Sequence, residues 1–302
     1  MWKEEILYSG PADVKQVVRP RYPDSSKRDF GCLLVVGGSE VYSGAPALAG
    51  MAALRTGCGL VVIAAPTGVA TAIRAYSPDL IVHPLSGNVI SANCTDELSR
   101  LLEYCDALVI GPGIGRNPET REAISSILKT AAQKRKPTLI DADAIRALAD
   151  RRNLLGETSA IITPHAGEFS ALSGTEVPND WRKRVSICKS FALEHSCVVL
   201  LKGHNTVVTD GQRVKINPTG NPGMAVGGMG DVLSGIIGAF LAQRSDRFLS
   251  AVAGAYVHGS AGDLVRKRTG FHMVASDLIE ALPTVLRRYD RTAGSGLTKG
   301  YT

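Results

Sequence analysis

Short apolar runs alternate with helix-like stretches along most of the chain. Residues 32–36 are aliphatic apart from Cys32 and end at Gly37-Gly38, a pattern typical of a buried strand. The same pattern predicts strands near residues 60–64, 80–83, 106–110, 138–141, 159–162 and 197–201. Helices are predicted near residues 45–56, 94–103, 118–134, 143–149, 180–195, 229–243, 247–267 and 275–287. Strands separated by helices indicate a mostly parallel sheet with helices on both faces.

Residues 206–216 break this alternation. Two apolar runs flank Asp210-Gly211, which predicts a hairpin and therefore antiparallel strands at one edge of the sheet. No internal repeat or long linker divides the chain. We therefore expect one α/β domain over residues 26–288, a lead-in segment over residues 1–25 and a flexible tail over residues 289–302.

The composition is that of a globular protein with an excess of glycine. Of 302 residues, 44% are hydrophobic and 21% are charged, which excludes a largely disordered chain. The 32 glycines predict loops with unusual backbone angles or close ligand approach. A net charge of +6 suits an anionic ligand such as a nucleotide, or a merely solvated surface. With 5% aromatic residues, stacking on single-stranded nucleic acid is not expected.

The amino-terminal residues and the cysteines indicate a cytoplasmic protein. The first residues lack the apolar segment of a secretory signal, and the longest apolar runs are too short to span a bilayer. The six cysteines include no Cys-x-x-Cys pair, so we interpret them as reduced thiols. We expect partners among small molecules, with no membrane and no nucleic acid.

The strongest chemical signal is the glycine-rich stretch 217–235, which leads into an apolar helix. The free N–H groups and the partial positive charge of a helix N-terminus suit a phosphate. Gly228, Met229 and Gly230 are therefore the predicted anion hole. Asp231 follows in the first helical turn, either as a simple N-cap or as a base that takes a proton from a substrate hydroxyl. The glycine spacing favours the base.

Two further glycine clusters follow predicted strands. They are Gly111-Pro112-Gly113-Ile114-Gly115 and residues 37–45. Open α/β sheets bind ligands at such positions, although a simple turn or close helix packing is the alternative for each. The G-x-G-x-x-G dinucleotide fingerprint is absent.

Charged side chains and a histidine also follow predicted strands. Asp141 and Asp143 could hold Mg²⁺ through water, or Asp143 could cap the next helix. Thr163 and Pro164 fit the N-cap and the first position of a helix, which would place His165 near the ligand-binding loops. A purely structural role is the alternative for this histidine.

Lys202 follows the last predicted parallel strand. It could meet a nucleotide phosphate as a point charge, or it could be a solvated lysine at a turn. The G-x-x-x-x-G-K-[ST] phosphate loop is absent, so any nucleotide site here is of another kind.

As a set and in this order, the loops resemble the ribokinase-like superfamily, and most closely its ADP/ATP-dependent NAD(P)H-hydrate dehydratase branch. The resemblance covers residues 25–288. The matching motifs are GGSEVYSGA (37–45), ALRTGCGLV (53–61), GPGIG (111–115), DADAI (141–145), TPHAGEF (163–169), LKGHN (201–205) and NPTGNPGMAVGGMGD (217–231). Met229 stands where family members often carry threonine, which leaves the backbone donors unchanged.

The resemblance implies repair of hydrated nicotinamide cofactors. The S form of NADHX or NADPHX would lose water to give NADH or NADPH while ADP, or alternatively ATP, is consumed with Mg²⁺. The implied nucleotide-binding residues are Lys202, Gly203, His204, Asn205, Thr206 and Gly230. The implied contacts to the hydrate are Ala45, Gly113, His165 and Asp231.

The resemblance also bears on partners. Many relatives carry an amino-terminal epimerase domain, and residues 1–25 are too short for one. We therefore expect functional pairing with a separate epimerase, or reliance on slow spontaneous conversion of the hydrate. Small and apolar helical positions such as residues 251–256 permit a homo-oligomer, with a tetramer as one option.

Three other functions compete with this interpretation. A small-molecule kinase of the hydroxymethylpyrimidine or hydroxyethylthiazole type would use the same anion hole and aspartate. A non-catalytic nucleotide sensor would have no need for a base at Asp231. A nucleic-acid binder, suggested by the charge and by Arg266-Lys267-Arg268, lacks a recognition motif.

Overall fold

The fold is built on one ten-stranded sheet. The computed structural model describes residues 7–291. Its strands are β1 (Leu7–Tyr8), β2 (Cys32–Val36), β3 (Leu60–Pro66), β4 (Ile81–Leu85), β5 (Ala107–Ile110), β6 (Thr138–Ile140), β7 (Ile161–Ile162), β8 (Val198–Leu201), β9 (Thr206–Thr209) and β10 (Val214–Asn217). They are ordered β1-β10-β9-β8-β7-β6-β5-β2-β3-β4.

Most of the sheet is parallel. Every neighbouring pair from β8 to β4 in that order is parallel, with Val35 of β2 opposite Ile63 of β3 and Val109 of β5. Only β9 is antiparallel to its neighbours β8 and β10, so the predicted edge hairpin is confirmed. Because β1 pairs in parallel with β10, two residues of the lead-in segment form the outermost strand.

Twelve α-helices are present in the described part of the chain. They are α1 (Pro11–Val17), α2 (Gly44–Arg55), α3 (Thr67–Tyr76), α4 (Thr95–Tyr104), α5 (Pro118–Gln133), α6 (Asp143–Arg146), α7 (Asn153–Thr158), α8 (Ala166–Ser173), α9 (Trp181–Glu194), α10 (Met229–Ala242), α11 (Arg247–Thr269) and α12 (Ala275–Leu286).

Alternating side chains bury both faces of the sheet. Leu34 and Val36 of β2 pack in a core that includes residues of α4, α5 and α9. Leu33 and Val35 point to the opposite face and pack in a core with residues of α2, α3, α10 and α11. A third apolar cluster joins α1 and α12 to the outer sides of α10 and α11. These layers confirm the predicted mostly parallel sheet with helices on both faces.

The structure adds elements that the pattern did not predict. Helices α3 and α7 were not predicted, and α6 ends at Arg146 rather than near residue 149. The lead-in segment contributes Val14 and Val17, both buried, to the third cluster. In the part of the chain that the structure describes, no helix is long and apolar enough to cross a membrane. The predicted flexible tail lies outside the described residues from residue 292 onward.

The start of α8 differs from the predicted one. Its N-cap is His165, and Ala166 is its first residue, so Thr163 and Pro164 precede the helix. The physical reason is a capping box: the His165 ring accepts from the Glu168 N–H at 3.2 Å, and the Glu168 carboxylate accepts from the His165 N–H at 2.9 Å. Thr163 instead turns its hydroxyl toward Asp141.

Candidate active site

The loops that follow β8 and β10 enclose a cavity of about 800 Å³ with the start of α10 and the middle of α11. It lies at the carboxyl end of the neighbouring parallel strands, where α/β sheets bind ligands. Of the residues singled out from the sequence, His165, Lys202, Gly203, His204, Thr206, Met229 and Gly230 line it. The cavity is large enough for a nucleotide-sized ligand.

The start of α10 is shaped by Gly228, the N-cap of the helix. Its φ of +89° is a left-handed conformation that glycine adopts readily. A Cβ there would also lie 2.7 Å from Leu48 and 2.9 Å from Ala275. Glycine is therefore needed at this position both for backbone conformation and for space, and the helix opens with the free N–H groups expected of an anion hole.

Asp231 is the third residue of α10, so it is not the N-cap. Within residues 7–291 its carboxylate accepts no hydrogen bond. Burial and the negative charge of Asp141 raise the pKa of Asp231 to about 7, while Lys202 opposes this rise. A carboxylate with a pKa near neutrality and no partner is suited to general base chemistry.

Asp141 is the buried acidic centre of the site. Its Oδ1 accepts from the Thr163 hydroxyl at 2.8 Å, and its Oδ2 accepts from the Ser234 hydroxyl at 2.7 Å. Its backbone approaches Gly111 so closely that a Cβ on Gly111 would lie 1.9 Å from the Asp141 carbonyl oxygen. The first glycine of residues 111–115 is thus required for packing against the strand end that carries Asp141.

Lys202 lies between two carboxylates and faces the anion hole. Its Nζ is 3.2 Å from Asp141 Oδ1 and 3.9 Å from Glu168 Oε2, and its side chain is 25% exposed. Burial alone would lower the pKa of Lys202, but Asp141 and Glu168 hold it above its usual value. A Cβ on Gly230 would lie 3.4 Å from Nζ. Lys202 is therefore charged and adjacent to Gly230, and it is not a solvated lysine at a turn.

The remaining predicted residues fall into two groups. Gly203, His204 and Asn205 lie in the turn between β8 and β9. Thr206 begins β9, and its hydroxyl donates to the Gly203 carbonyl at 3.1 Å. Ala45 and Gly113 lie against each other outside this cavity: a Cβ on Gly113 would be 3.0 Å from the Ala45 Cβ. The Ser39 hydroxyl donates to the Gly113 carbonyl at 2.8 Å, so the two glycine clusters meet.

The two candidate metal-binding aspartates have different surroundings. Both oxygens of Asp141 are engaged by hydrogen-bond donors. Asp143 pairs with Arg116 at 2.8 Å and lies 3.9 Å from Arg146. Among residues 7–291 there is no group of three or more His, Cys, Asp or Glu side chains that could hold a metal ion. Direct ligation by these two carboxylates therefore has no support in the geometry.

Sequence reasoning gave no role to Glu168, Ser234 and His258. His258 lines the cavity from α11, and its Nε2 lies 2.9 Å from the Met229 carbonyl oxygen. Burial lowers the pKa of His258 to about 4, so the ring is neutral at pH 7 and its Nε2–H donates to this carbonyl. Glu168 lies in the motif 163–169 and Ser234 in the stretch 217–235, whereas His258 lies within α11 and has no motif beside it.

The fold and the glycine loop before α10 define a ribokinase-like protein. Comparison with known proteins agrees: a ribokinase-like superfamily protein from Enterococcus faecalis superposes with a TM-score of 0.82 at 26% identity, covering 96% of this chain and 99% of that one. The family model described as NAD(P)H-hydrate dehydratase matches residues 33–284. The chain belongs to the NAD(P)H-hydrate dehydratase family, as its motifs indicated.

Individual relatives support this membership. The bifunctional NAD(P)H-hydrate repair enzyme Nnr of Pyrobaculum aerophilum is 46% identical over 286 residues, which are 95% of this chain and 56% of that protein. The chain thus spans about half the length of the bifunctional relatives. The ADP-dependent (S)-NAD(P)H-hydrate dehydratase of Cenarchaeum symbiosum is 39% identical, with 93% of this chain and 97% of that protein covered.

A solved structure is similar over nearly the whole chain. The ADP/ATP-dependent NAD(P)H-hydrate dehydratase from Bacillus subtilis, co-crystallised with ATP and Mg²⁺, has a TM-score of 0.80 at 28% identity. The match covers 94% of this chain and 99% of that one. The site built from the glycine loop, Lys202 and Asp231 therefore lies on a fold shared with a nucleotide-binding dehydratase.

Proposed function

We propose that this protein dehydrates the S form of NADHX and NADPHX to NADH and NADPH with consumption of ADP. The observation that carries the proposal is Asp231, unpartnered within the described residues, at the start of α10 with a pKa of about 7, directly after the glycine loop. The Cenarchaeum relative, which is matched over nearly its whole length, bears the name of this activity with ADP as the nucleotide.

The chemistry requires a better leaving group than hydroxide. In the proposed first step, the hydroxyl oxygen of the hydrate attacks the terminal phosphorus of ADP, Asp231 takes the hydroxyl proton, and AMP leaves. The lone pair of the ring nitrogen then expels phosphate as the carbon–oxygen bond breaks. Loss of a proton from the neighbouring ring carbon restores the double bond of the dihydropyridine.

The residues around Asp231 would bind the phosphates of the nucleotide. The N–H groups of Gly228, Met229 and Gly230 would hold the charge that develops on the transferred phosphoryl group. Lys202 would neutralise nucleotide phosphate, since its ammonium faces Gly230. The turn after Lys202 and the first residue of β9, residues 203–206, would complete the nucleotide site.

The hydrate would reach Asp231 from the side of α2. Leu48 of α2 lies against Gly228, one helical turn after Ala45. Ala45 and Gly113 present little side chain there, and His165 lines the cavity with 53% of its side chain exposed. We assign these three residues to contacts with the hydrate.

Magnesium would enter this site with the nucleotide. Mg²⁺ commonly keeps several waters and takes the rest of its ligands from phosphate and one or two carboxylates, which fits a site with no preformed group of three ligands among residues 7–291. Asp141 and Asp143 remain the proposed contacts through water. The bound Mg²⁺ would neutralise part of the negative charge of the nucleotide phosphates.

Absorbance at 340 nm tests the proposal directly. The protein is mixed with NADHX, Mg²⁺ and either ADP or ATP, and absorbance is expected to rise only when nucleotide is present. The nucleotide that gives the faster rise is the phosphoryl donor, which we expect to be ADP. No rise with either nucleotide, together with phosphate transfer to a pyrimidine or thiazole alcohol, would replace the dehydratase with a kinase.

The proposed partners follow from the relatives. Because the chain matches about half of bifunctional repair enzymes, we propose that it acts with an epimerase that converts the R hydrate to the S hydrate. In an assay with a racemic hydrate, added epimerase is expected to raise the yield of NADH from about half to nearly all. We also propose a homo-oligomer in the cytoplasm, which light scattering of the purified protein would size.

A further inference from the structure

A second cavity, of about 440 Å³, lies at the opposite edge of the sheet from the candidate active site. Asp106 and Pro137, which line it, directly precede β5 and β6, so it opens at the amino-terminal ends of the parallel strands. Five basic and two acidic side chains line it. The basic ones are Lys134, Arg135, Lys136, Arg244 and Arg247.

Two of these arginines occupy backbone positions that favour glycine. Arg135 has a φ of +53° and Arg244 a φ of +65°. Each is the second residue after its helix, α5 or α10, where a left-handed residue completes the hydrogen bonding of the helix end. Glycine is the usual residue there because a Cβ adds strain. Two helix ends with arginine in this conformation thus meet at one cavity.

The other basic side chains have partners, whereas these arginines have free donors. The partners are the Glu103 carboxylate for Lys134, the Cys105 carbonyl for Lys136 and the Ser159 carbonyl for Arg247. Within residues 7–291 the guanidinium of Arg135 makes no hydrogen bond or ion pair. Arg244 reaches Asp106 only at 3.5 Å and is 81% exposed.

We propose that this cavity binds a small anion carrying a phosphate or pyrophosphate group, with Arg135 and Arg244 as its main ligands. Guanidinium groups are planar donors that match phosphate geometry, and here most of their donors are unused. Both arginines have a left-handed backbone that glycine would adopt without strain, so each can be replaced by glycine to remove the guanidinium while the helix end is kept. The site is separate from the proposed dehydratase chemistry.

Substitution by glycine tests the proposal without endangering the fold. In the Arg135→Gly, Arg244→Gly double variant the left-handed conformation becomes unstrained, so thermal stability should be unchanged or higher. Ser196→Gly is the matched control, since Ser196 occupies the same position after α9 with a φ of +49° and is not part of the cavity lining. Inorganic pyrophosphate and glucose 6-phosphate are titrated separately by calorimetry at low ionic strength.

The double variant is expected to bind at least one of the two probes about tenfold more weakly than both the wild type and Ser196→Gly. If the double variant loses affinity for pyrophosphate alone, the cavity is a site for a free anion. If it loses affinity for glucose 6-phosphate, the cavity is a site for an organic phosphate. Pyrophosphate can also bind in the candidate active site, so the result is the difference in affinity between the double variant and Ser196→Gly. Equal binding by all three proteins overturns the proposal. Equal binding with a lower melting temperature in the double variant would show that the arginines only stabilise helix ends.

Discussion

Lys202 Nζ lies 3.2 Å from Asp141 Oδ1, and this partly buried ion pair ties the end of β8 to the end of β6. The same carboxylate accepts from Ser234 of α10, so the pair also fixes the helix that carries Asp231. With the Thr163 hydroxyl after β7, three other segments of the chain converge on this carboxylate. Asp141 is therefore a positioning group for both Lys202 and the start of α10.

Replacement of Asp141 by Asn should change how activity depends on pH. The charge of Asp141 raises the pKa of Asp231, so its removal should move the midpoint of the pH–rate profile to lower pH. Lys202 would lose its closest partner, and stability should fall by about 3 kcal/mol. Asp150→Asn is the control, since Asp150 is an exposed carboxylate that pairs with Arg121 at 2.7 Å and has no proposed role in the site. An unchanged midpoint in Asp141→Asn would contradict this role.

In the wild-type protein, kcat/KM should rise with pH through about 7 and then level off. The base must be deprotonated to accept the hydroxyl proton, and the pKa of Asp231 is about 7. Initial rates at 340 nm between pH 5 and pH 9, in a buffer series of constant ionic strength, measure the profile. A rate that is flat across this range would exclude Asp231 as the titrating base.

Asp231→Asn should leave the fold intact and lower kcat by about 10²–10⁴-fold, because general base catalysis commonly contributes that much. Nucleotide affinity should change little, since the amide keeps the shape of the side chain. Turnover and ADP binding by calorimetry are measured on the same preparation. Near-normal kcat would refute the catalytic role, whereas loss of circular dichroism signal would show that the variant had unfolded.

Asp231→Asn should also be more stable than the wild type above pH 7. The pKa of Asp231 is raised from 3.8 to about 7 in the folded protein, so between these values the folded state binds more protons than the unfolded state. The free energy of unfolding therefore falls as pH rises through this window. Melting temperatures of the two proteins should coincide near pH 4 and separate by a few degrees at pH 8. Equal melting temperatures at both pH values would contradict the raised pKa.

Two adjacent glycines should respond differently to alanine. Gly228→Ala places a Cβ 2.7 Å from Leu48 at a φ of +89°, and should cost about 2 kcal/mol or more of stability. A Cβ on Gly227 meets no atom within 4 Å, so Gly227→Ala should fold as the wild type does. Urea denaturation of both variants measures the difference. Similar midpoints would show that the loop adjusts freely.

Much of the fold could be predicted because its signals are local. The aliphatic run at residues 32–36 and the Asp210-Gly211 turn each specify an element within a few residues. Helix α3 could not be predicted with the same ease, since glycine and β-branched residues in its first turn disfavour a helix in isolation. Its burial against the sheet, through Val69 and Ile73, stabilises it.

By itself, the sequence determined the alternation of strands and helices, the glycine loop and the place of Asp231 at the start of a helix. Only the tertiary structure decided what surrounds that carboxylate. Asp141 lies 61 residues from Lys202 and 93 from Ser234, and His258 meets Met229 across 29 residues. The pKa of Asp231 depends on burial and on charges brought together by folding. Such distances are set by packing of the whole sheet, and no local pattern encodes them.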